Sequence, residues 1–187
     1  MLKISALLAA VVFMLAVTSD LRAGTLSGVN LPDTVKVGDR TLVLNGLGLR
    51  KKYLVKVYVA GLYLEQKSSD PDAILKADVP KCLVMHFVRG VSKNQIADAF
   101  NEAFENNTPD ATKSMKAEID QLLGALEPVN DGGEMAFTYV PGTGTTVAIN
   151  GKEKLTIATP AFGSVLFSVW LGPKPPNPEL KKGLLGQ

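Results

Sequence analysis

The segment Leu44-Asn-Gly-Leu-Gly-Leu-Arg-Lys-Lys-Tyr-Leu-Val-Lys-Val-Tyr-Val-Ala-Gly-Leu-Tyr-Leu-Glu65 combines two glycines, an arginine and a long β-prone run. Its second half, residues 53–64, is rich in valine, tyrosine and leucine and is the longest candidate strand of the chain. The basic residues Arg50, Lys51 and Lys52 precede this strand and are typical of a solvated turn between two strands. The segment therefore predicts a strand pair with a basic connection.

Residues 81–88 form a second candidate strand that is apolar on both faces. A strand covered on both sides is typical of a central position in a sheet that carries a helical layer. His86 lies on one face and is expected to be a core histidine. Arg89 follows on the other face, where it either binds an anion or extends its apolar stem toward solvent.

Helix signals separate the strands of this sheet. Ser92 and Gln95 have the spacing of a capping box, and an apolar stripe of helical period follows them. A second helix is predicted to begin at Thr108-Pro109, and a third, with a one-sided apolar stripe, at Thr159-Pro160. Further strands are predicted at residues 25–37, which a Leu31-Pro-Asp turn divides into two, and at residues 41–44, 134–140, 145–150 and 154–158. Asn150-Gly151 predicts a two-residue hairpin turn between the last two of them. This order predicts an α+β fold, in which a large, mostly antiparallel sheet has its helices layered on one face.

Several familiar catalytic patterns are incomplete. Gly46 and Gly48 begin a dinucleotide-like pattern that lacks its third glycine and the following βαβ unit. Cys82 is the only cysteine and His86 the only histidine, which predicts neither a catalytic thiol nor a metal site. We expect no cofactor and no metal.

Arg50 and the tyrosines after it remain as candidates. A guanidinium offers a planar fork to a carboxylate, and a phenol adds another donor. On one straight strand, however, Arg50 and Tyr58 would lie about 26 Å apart, at ~3.3 Å per residue. They meet only if the chain reverses near Leu54, where apolar neighbours make a turn unexpected.

The strings Gly46-Leu-Gly-Leu-Arg50 and Val57-Tyr-Val-Ala-Gly-Leu-Tyr63, with Phe167-Ser-Val-Trp-Leu-Gly172 downstream, resemble the chalcone isomerase-like family, in particular its bacterial exported members. The resemblance implies a chalcone isomerase-like fold with a pocket for a small apolar ligand. Tyr58 stands where the plant enzymes carry threonine and where the fatty-acid-binding members carry tyrosine. The further tyrosine that the enzymes use after the central strand is missing here, where Gln95 and Ile96 stand.

The first 23 residues resemble a secretory signal peptide. Lys3 precedes an apolar run over residues 4–17, which is too short to span a membrane comfortably. We therefore expect one domain over residues 24–187 in a periplasmic or secreted protein, without stable membrane insertion after cleavage. The formal net charge of +2 predicts no electrostatic attraction to nucleic acid or to an anionic membrane.

Three functions follow as hypotheses. The first is a non-catalytic protein that binds a fatty acid, or another apolar molecule with a carboxylate or phenolate head, through Arg50, Tyr58 and Arg89. The second is an intramolecular lyase of the chalcone isomerase type, in which Arg50 stabilises the developing negative charge; its activity would change the absorbance of an added chalcone. The third is a structural envelope protein without a ligand.

Overall fold

Seven strands form one antiparallel sheet whose spatial order, β3 to β9, follows the chain. The structure is a computed structural model that describes residues 24–187, so the predicted signal peptide lies outside the described residues. The strands are β1 (Gly24–Leu26), β2 (Val29–Leu31), β3 (Thr34–Val37), β4 (Arg40–Lys52), β5 (Val55–Leu64), β6 (Lys81–Phe87), β7 (Glu134–Val140), β8 (Gly144–Ile149) and β9 (Lys152–Ile157). The helices are α1 (Pro71–Lys76), α2 (Lys93–Asn107), α3 (Pro109–Ser114), α4 (Lys116–Ala125), α5 (Pro160–Leu171) and α6 (Pro178–Leu184).

The main core lies between one face of this sheet and the helices. Alternate residues of β5 and β6, among them Leu62 and Leu83, share this core with buried residues of α2 and α5. This arrangement confirms the predicted α+β plan and the central position of β6. Helix α5 departs from its predicted one-sided stripe, because every residue from Val165 to Leu171 is buried. The reason is that α1, α2 and α6 pack around it.

The opposite face of the sheet is partly covered by the small β1–β2 hairpin. Val29 and Leu31 of this hairpin pack against Val59 of β5. The prediction of only two strands in residues 25–37 was therefore wrong. A tight turn at Ser27-Gly28, where both residues have positive φ, adds a strand before β3.

The β4–β5 hairpin differs from the predicted strand pair in its turn. Strand β4 runs through the glycines and through Arg50, and the chain reverses at Tyr53-Leu54, because Lys52 pairs with Val55. The basic residues therefore lie on a strand end, and the candidate strand at 53–64 begins two residues later than predicted. Residues 53–55 are apolar and contain none of the usual turn residues, which is why the sequence did not predict this reversal.

One capping signal and one turn signal are confirmed. Ser92 and Gln95 form the predicted capping box at the start of α2. Asn150 and Gly151 both have positive φ and form the two-residue turn between β8 and β9. The predicted second helix is divided, because α3 ends at Ser114 and α4 begins at Lys116.

The C-terminal helix α6 lies directly on β4. A methyl group at Gly48 would overlap the carbonyl oxygen of Leu180, and one at Gly46 would overlap that of Gly183. The two glycines that resemble a dinucleotide pattern therefore permit a close contact between a helix and a strand. The buried Asn45 side chain adds hydrogen bonds to Leu184 O (2.8 Å) and Ser68 O (2.9 Å). Among residues 24–187, no helix is long and apolar enough to cross a membrane.

Candidate functional site

Arg50 and Tyr58 are directly paired across the β4–β5 hairpin. Such partners have Cβ atoms about 5 Å apart and point to the same side of the sheet. Tyr58 is 7% exposed and belongs to the core beneath the helices, whereas Arg50 is half-buried. The early reversal of the chain therefore brings together the two residues that a straight strand would have separated.

The Tyr58 phenol is a neutral hydrogen-bonding group. The indole N–H of Trp170 donates to its oxygen at 3.0 Å, which leaves the phenol hydrogen without a protein acceptor among the described residues. Burial raises the pKa of Tyr58 to about 12, although the Trp170 hydrogen bond and the nearby Arg50 charge oppose the shift. At neutral pH the phenol is a donor that could serve an anion.

One edge of the Arg50 guanidinium is occupied by the chain. Its Nη1 donates to Pro176 O at 2.9 Å, to Asn177 Oδ1 at 3.4 Å and to its neighbour Lys51 O. Within residues 24–187, Nε and Nη2 have no acceptor. These two atoms form one edge of the planar fork and match the spacing of a carboxylate.

The loop between α5 and α6, residues 173–177, closes over Arg50 and is called the tail loop below. At one end, the Asn177 side chain donates to Leu49 O at 3.3 Å and accepts from Lys51 N at 3.3 Å. At the other end, Asn107 of α2 donates to Lys174 O at 2.9 Å and accepts from Lys174 N at 2.8 Å. This tail loop is thus attached to both the sheet and the helical layer, and it forms one wall of the site.

Aromatic side chains continue from Tyr58 into the core. Tyr58 lies 5.6 Å from Phe87, measured between ring centroids, and Trp170 lies 5.5 Å from Phe137 and 5.9 Å from Phe100. These rings fill the space behind the phenol. An acyl chain bound at Arg50 would have to displace some of them.

The structure places the other candidate residues outside this pair. Arg89 follows β6 and is exposed, with no hydrogen bond or ion pair to the described residues. His86 is not the expected core histidine, because it lies half-buried on the opposite face and its Nδ1 is 3.0 Å from Glu134 Oε1. The physical reason is that the β1–β2 hairpin covers this face only in part, so the ring lies at the surface beside its cross-strand partner Glu134.

Sequence reasoning missed Trp170 and Asn177 as members of the site. Trp170 belongs to the apolar stripe of the predicted third helix and to the string Phe167–Gly172, and neither pattern gives information on what its indole N–H contacts. Asn177 had no local signal, because its role depends on α6 docking on β4.

Cys82 is buried, and burial raises its thiol pKa to about 11, so it is a thiol at neutral pH. In the described chain, no three His, Cys, Asp or Glu residues lie close enough together to hold a metal.

A second polar cluster lies beside a cavity of about 200 Å³ near Lys81. Lys81 is only 2% exposed, and its ammonium donates to Ile74 O at 2.7 Å and Ala77 O at 2.8 Å. It therefore caps the C-terminus of α1. Nearby, Tyr139 donates to Asp78 Oδ1 at 2.6 Å. Burial lowers the pKa of Lys81 to about 8, while the charge of Asp78 opposes that shift.

Lys81 should make the free energy of unfolding depend on alkaline pH. Because its pKa falls from 10.5 in the unfolded chain to about 8 in the folded protein, the unfolded state binds more protons between these values. The contribution of Lys81 is therefore lowest below pH 8 and rises toward pH 10.5. We expect the stability of the parent relative to Lys81→Met to rise by roughly 2–3 kcal/mol over this window.

Urea unfolding of both proteins at pH 7.5, 9 and 10.5 measures this difference. Comparing the two proteins removes the contributions of Cys82 and the tyrosines, which also titrate at alkaline pH and have raised pKa values in the folded state. A difference that is constant from pH 7.5 to 10.5 would show that the buried amine keeps its ordinary pKa.

Two comparisons relate this fold to known proteins. The sequence profile of a family described as chalcone isomerase-like matches residues 23–186. The crystal structure of a fatty-acid binding protein from Arabidopsis thaliana is similar to this chain with a TM-score of 0.66 and 17% sequence identity. The similarity covers 84% of this chain and 92% of the plant protein. No curated protein sequence matches this chain.

Proposed function

Because this chain belongs to the chalcone isomerase-like family, we propose that it binds a fatty acid, or a similar apolar molecule with an acidic head, and releases it unchanged. The observation that carries this proposal is the pairing of Arg50 with Tyr58 on β4 and β5. The fatty-acid binding of the plant protein with a similar fold adds support.

The carboxylate is proposed to bind at the open edge of Arg50. Nε and Nη2 donate to its two oxygens, and the Tyr58 hydrogen is available for one of them. The tail loop already holds Nη1 through Pro176 and Asn177, so the guanidinium is oriented before the ligand arrives. Preorganisation of this kind reduces the entropic cost of binding.

The acyl chain is proposed to enter between the sheet and the helices. The side chains behind Tyr58 there are aromatic or flexible, including Phe87, Phe100 and Met85. Methionine adapts readily to a new shape, and aromatic rings provide apolar contact area. Displacement of these side chains by the ligand would keep the core filled in both states. Arg89 is proposed as an outer anion contact near the same strand end.

The absence of catalysis is part of the proposal. A ring closure that used Tyr58 as a base would require its deprotonation, and a pKa of about 12 disfavours that at neutral pH. The same neutral phenol is suited to donate a hydrogen bond. With the predicted signal peptide over residues 1–23, we place this binding protein in a periplasm.

Native mass spectrometry of the protein purified from the periplasm of its host tests the proposal. We expect one small acid per chain, which denaturation releases for identification as a fatty acid. The apolar core and the single Arg50–Tyr58 pair are the reasons for this stoichiometry. A protein that is empty as purified, and remains empty after incubation with C12 to C18 fatty acids, would contradict ligand binding and favour a structural role.

A further inference from the structure

The tip of the β4–β5 hairpin exposes large apolar side chains. Tyr53 is 90% exposed, Leu54 96% and Val55 45%. Only one other large apolar residue, Val79, is comparably exposed among residues 24–187. Three consecutive apolar residues in solvent at the end of a long hairpin are unusual in a chain that buries such residues elsewhere.

The residues at this tip are poorly suited to the turn itself. Tyr53 has φ of 56°, in the left-handed region that favours glycine. Two-residue hairpin turns prefer Asn-Gly, Asp-Gly or Gly-X, as at Asn150-Gly151 in this protein. A tip that carries tyrosine and leucine instead departs from local preference, which is common where side chains serve a function.

Basic side chains surround the tip without acidic partners. Lys51, Lys52 and Lys56 are exposed, and none takes part in an ion pair with the described residues. No Asp or Glu occurs from residue 40 to residue 64. Val88 N donates to Val57 O at 3.0 Å, which places the exposed Arg89 at the register position beside Lys56. The net charge of +2 for the whole chain does not reveal this local cluster of positive charge.

We propose that this tip docks reversibly on a bilayer surface that contains anionic phospholipids. Tyrosine is enriched at membrane interfaces, because its ring is apolar and its hydroxyl is polar. Leu54 would enter the acyl boundary, and the three lysines and Arg89 would contact lipid phosphates. Each such basic residue near an anionic surface strengthens binding about fivefold. Two apolar side chains with four charges give a contact that forms and dissociates readily.

The proposed contact lies close to the candidate ligand site. Arg50 is three residues before Tyr53, about 10 Å along the strand at ~3.3 Å per residue. A bound hairpin would hold Arg50 and Tyr58 just above the headgroups, where a fatty acid exchanges with the bilayer. This exchange rests on the proposed fatty-acid binding, whereas the docking itself does not.

Vesicle flotation of the protein purified from its host tests the docking. The tip variant Tyr53→Gly with Leu54→Ser supplies a Gly-X turn, so the hairpin should form at least as well. The charge variant is Lys52→Gln with Lys56→Gln. Lys36→Gln with Lys67→Gln removes the same charge from exposed positions on β3 and after β5, and is the matched control.

The parent and the control are expected to float with vesicles of phosphatidylglycerol and phosphatidylcholine at low salt, and to be released by ~0.5 M salt. Both tip variants should bind these vesicles at least tenfold more weakly. Parental binding that the tip variants retain would overturn the proposal. Failure of the parent protein to float with anionic vesicles would also overturn the proposal. The exposed tip would then be a candidate contact surface for another protein.

Fatty-acid affinity without vesicles separates this proposal from the preceding one. The tip variants should bind fatty acid in solution as the parent does, since their changed side chains lie outside the Arg50–Tyr58 site. Arg50→Ala should still float with anionic vesicles. Normal flotation of a parent that binds no fatty acid would reject the ligand proposal alone, and fatty-acid binding without flotation would reject the docking alone.

Discussion

Replacing Arg50 by alanine is expected to weaken fatty-acid binding ten- to a hundredfold. The substitution removes the two guanidinium hydrogens aimed at the carboxylate, and hydrogen bonds to a charged group contribute about 1.5–3 kcal/mol. Tyr58 would then be the only remaining donor of the pair. Isothermal titration with a soluble fatty acid, such as laurate, measures the affinity of both proteins.

Two further variants separate binding from structure. Arg50→Lys keeps the charge but loses the planar fork, so we expect it to recover only part of the affinity. Asn177→Ala loosens the tail loop while leaving the Nε and Nη2 edge intact, and should reduce affinity less than Arg50→Ala.

Arg40→Ala is the matched control on the same strand. Arg40 forms an exposed ion pair with Glu65 at 2.8 Å, and such pairs contribute little to stability. The Arg40→Ala protein should therefore bind laurate with the same affinity as the parent. If Arg50→Ala binds laurate as tightly as Arg40→Ala, the assignment of the carboxylate site is wrong.

Replacing Gly48 by alanine is expected to lower the free energy of unfolding by about 1–3 kcal/mol or more. The new methyl group would overlap the backbone of Leu180, and backbone atoms cannot move aside as a flexible side chain can. Helix α6 would have to leave β4, which would also expose the buried Leu180 and Leu184. Urea unfolding followed by circular dichroism measures the loss.

Gly124→Ala is the control, with the opposite expected sign. Gly124 lies in α4, and a methyl group there meets no atom within 4 Å. Alanine in place of glycine within a helix stabilises it by roughly 0.5–1 kcal/mol. Equal urea midpoints for Gly48→Ala and the parent would mean that α6 does not pack closely on β4.

Loss of α6 docking should also weaken ligand binding. The tail loop that orients Arg50 connects α5 to α6, and Asn177 stands one residue before α6. We therefore expect Gly48→Ala to weaken laurate binding as well, although Gly48 itself contacts no ligand. Gly46 and Gly48 would thus support the site by allowing α6 to pack on β4, whereas Arg50 on the same strand would bind the carboxylate directly.

Local patterns predicted most of the elements, because their physical causes are local. The capping box at Ser92, the Asn150-Gly151 turn and the two-sided apolar run of β6 each depend on residues within a few positions of one another. The α+β class followed from the order of these elements. The resemblance of the Gly46 and Val57 strings to a family added the choice among α+β folds.

Tertiary structure alone decided how the candidate site is assembled. The reversal at Tyr53-Leu54 runs against turn preference, so spacing along the chain separated Arg50 from Tyr58 although the hairpin pairs them. Trp170 and Asn177 reach the pair from 112 and 127 residues away. Local sequence patterns were enough to predict which segments become strands and helices, because hydrophobic periodicity and capping act between near neighbours. The contacts made by a particular donor depend instead on how those segments pack, which no local pattern records.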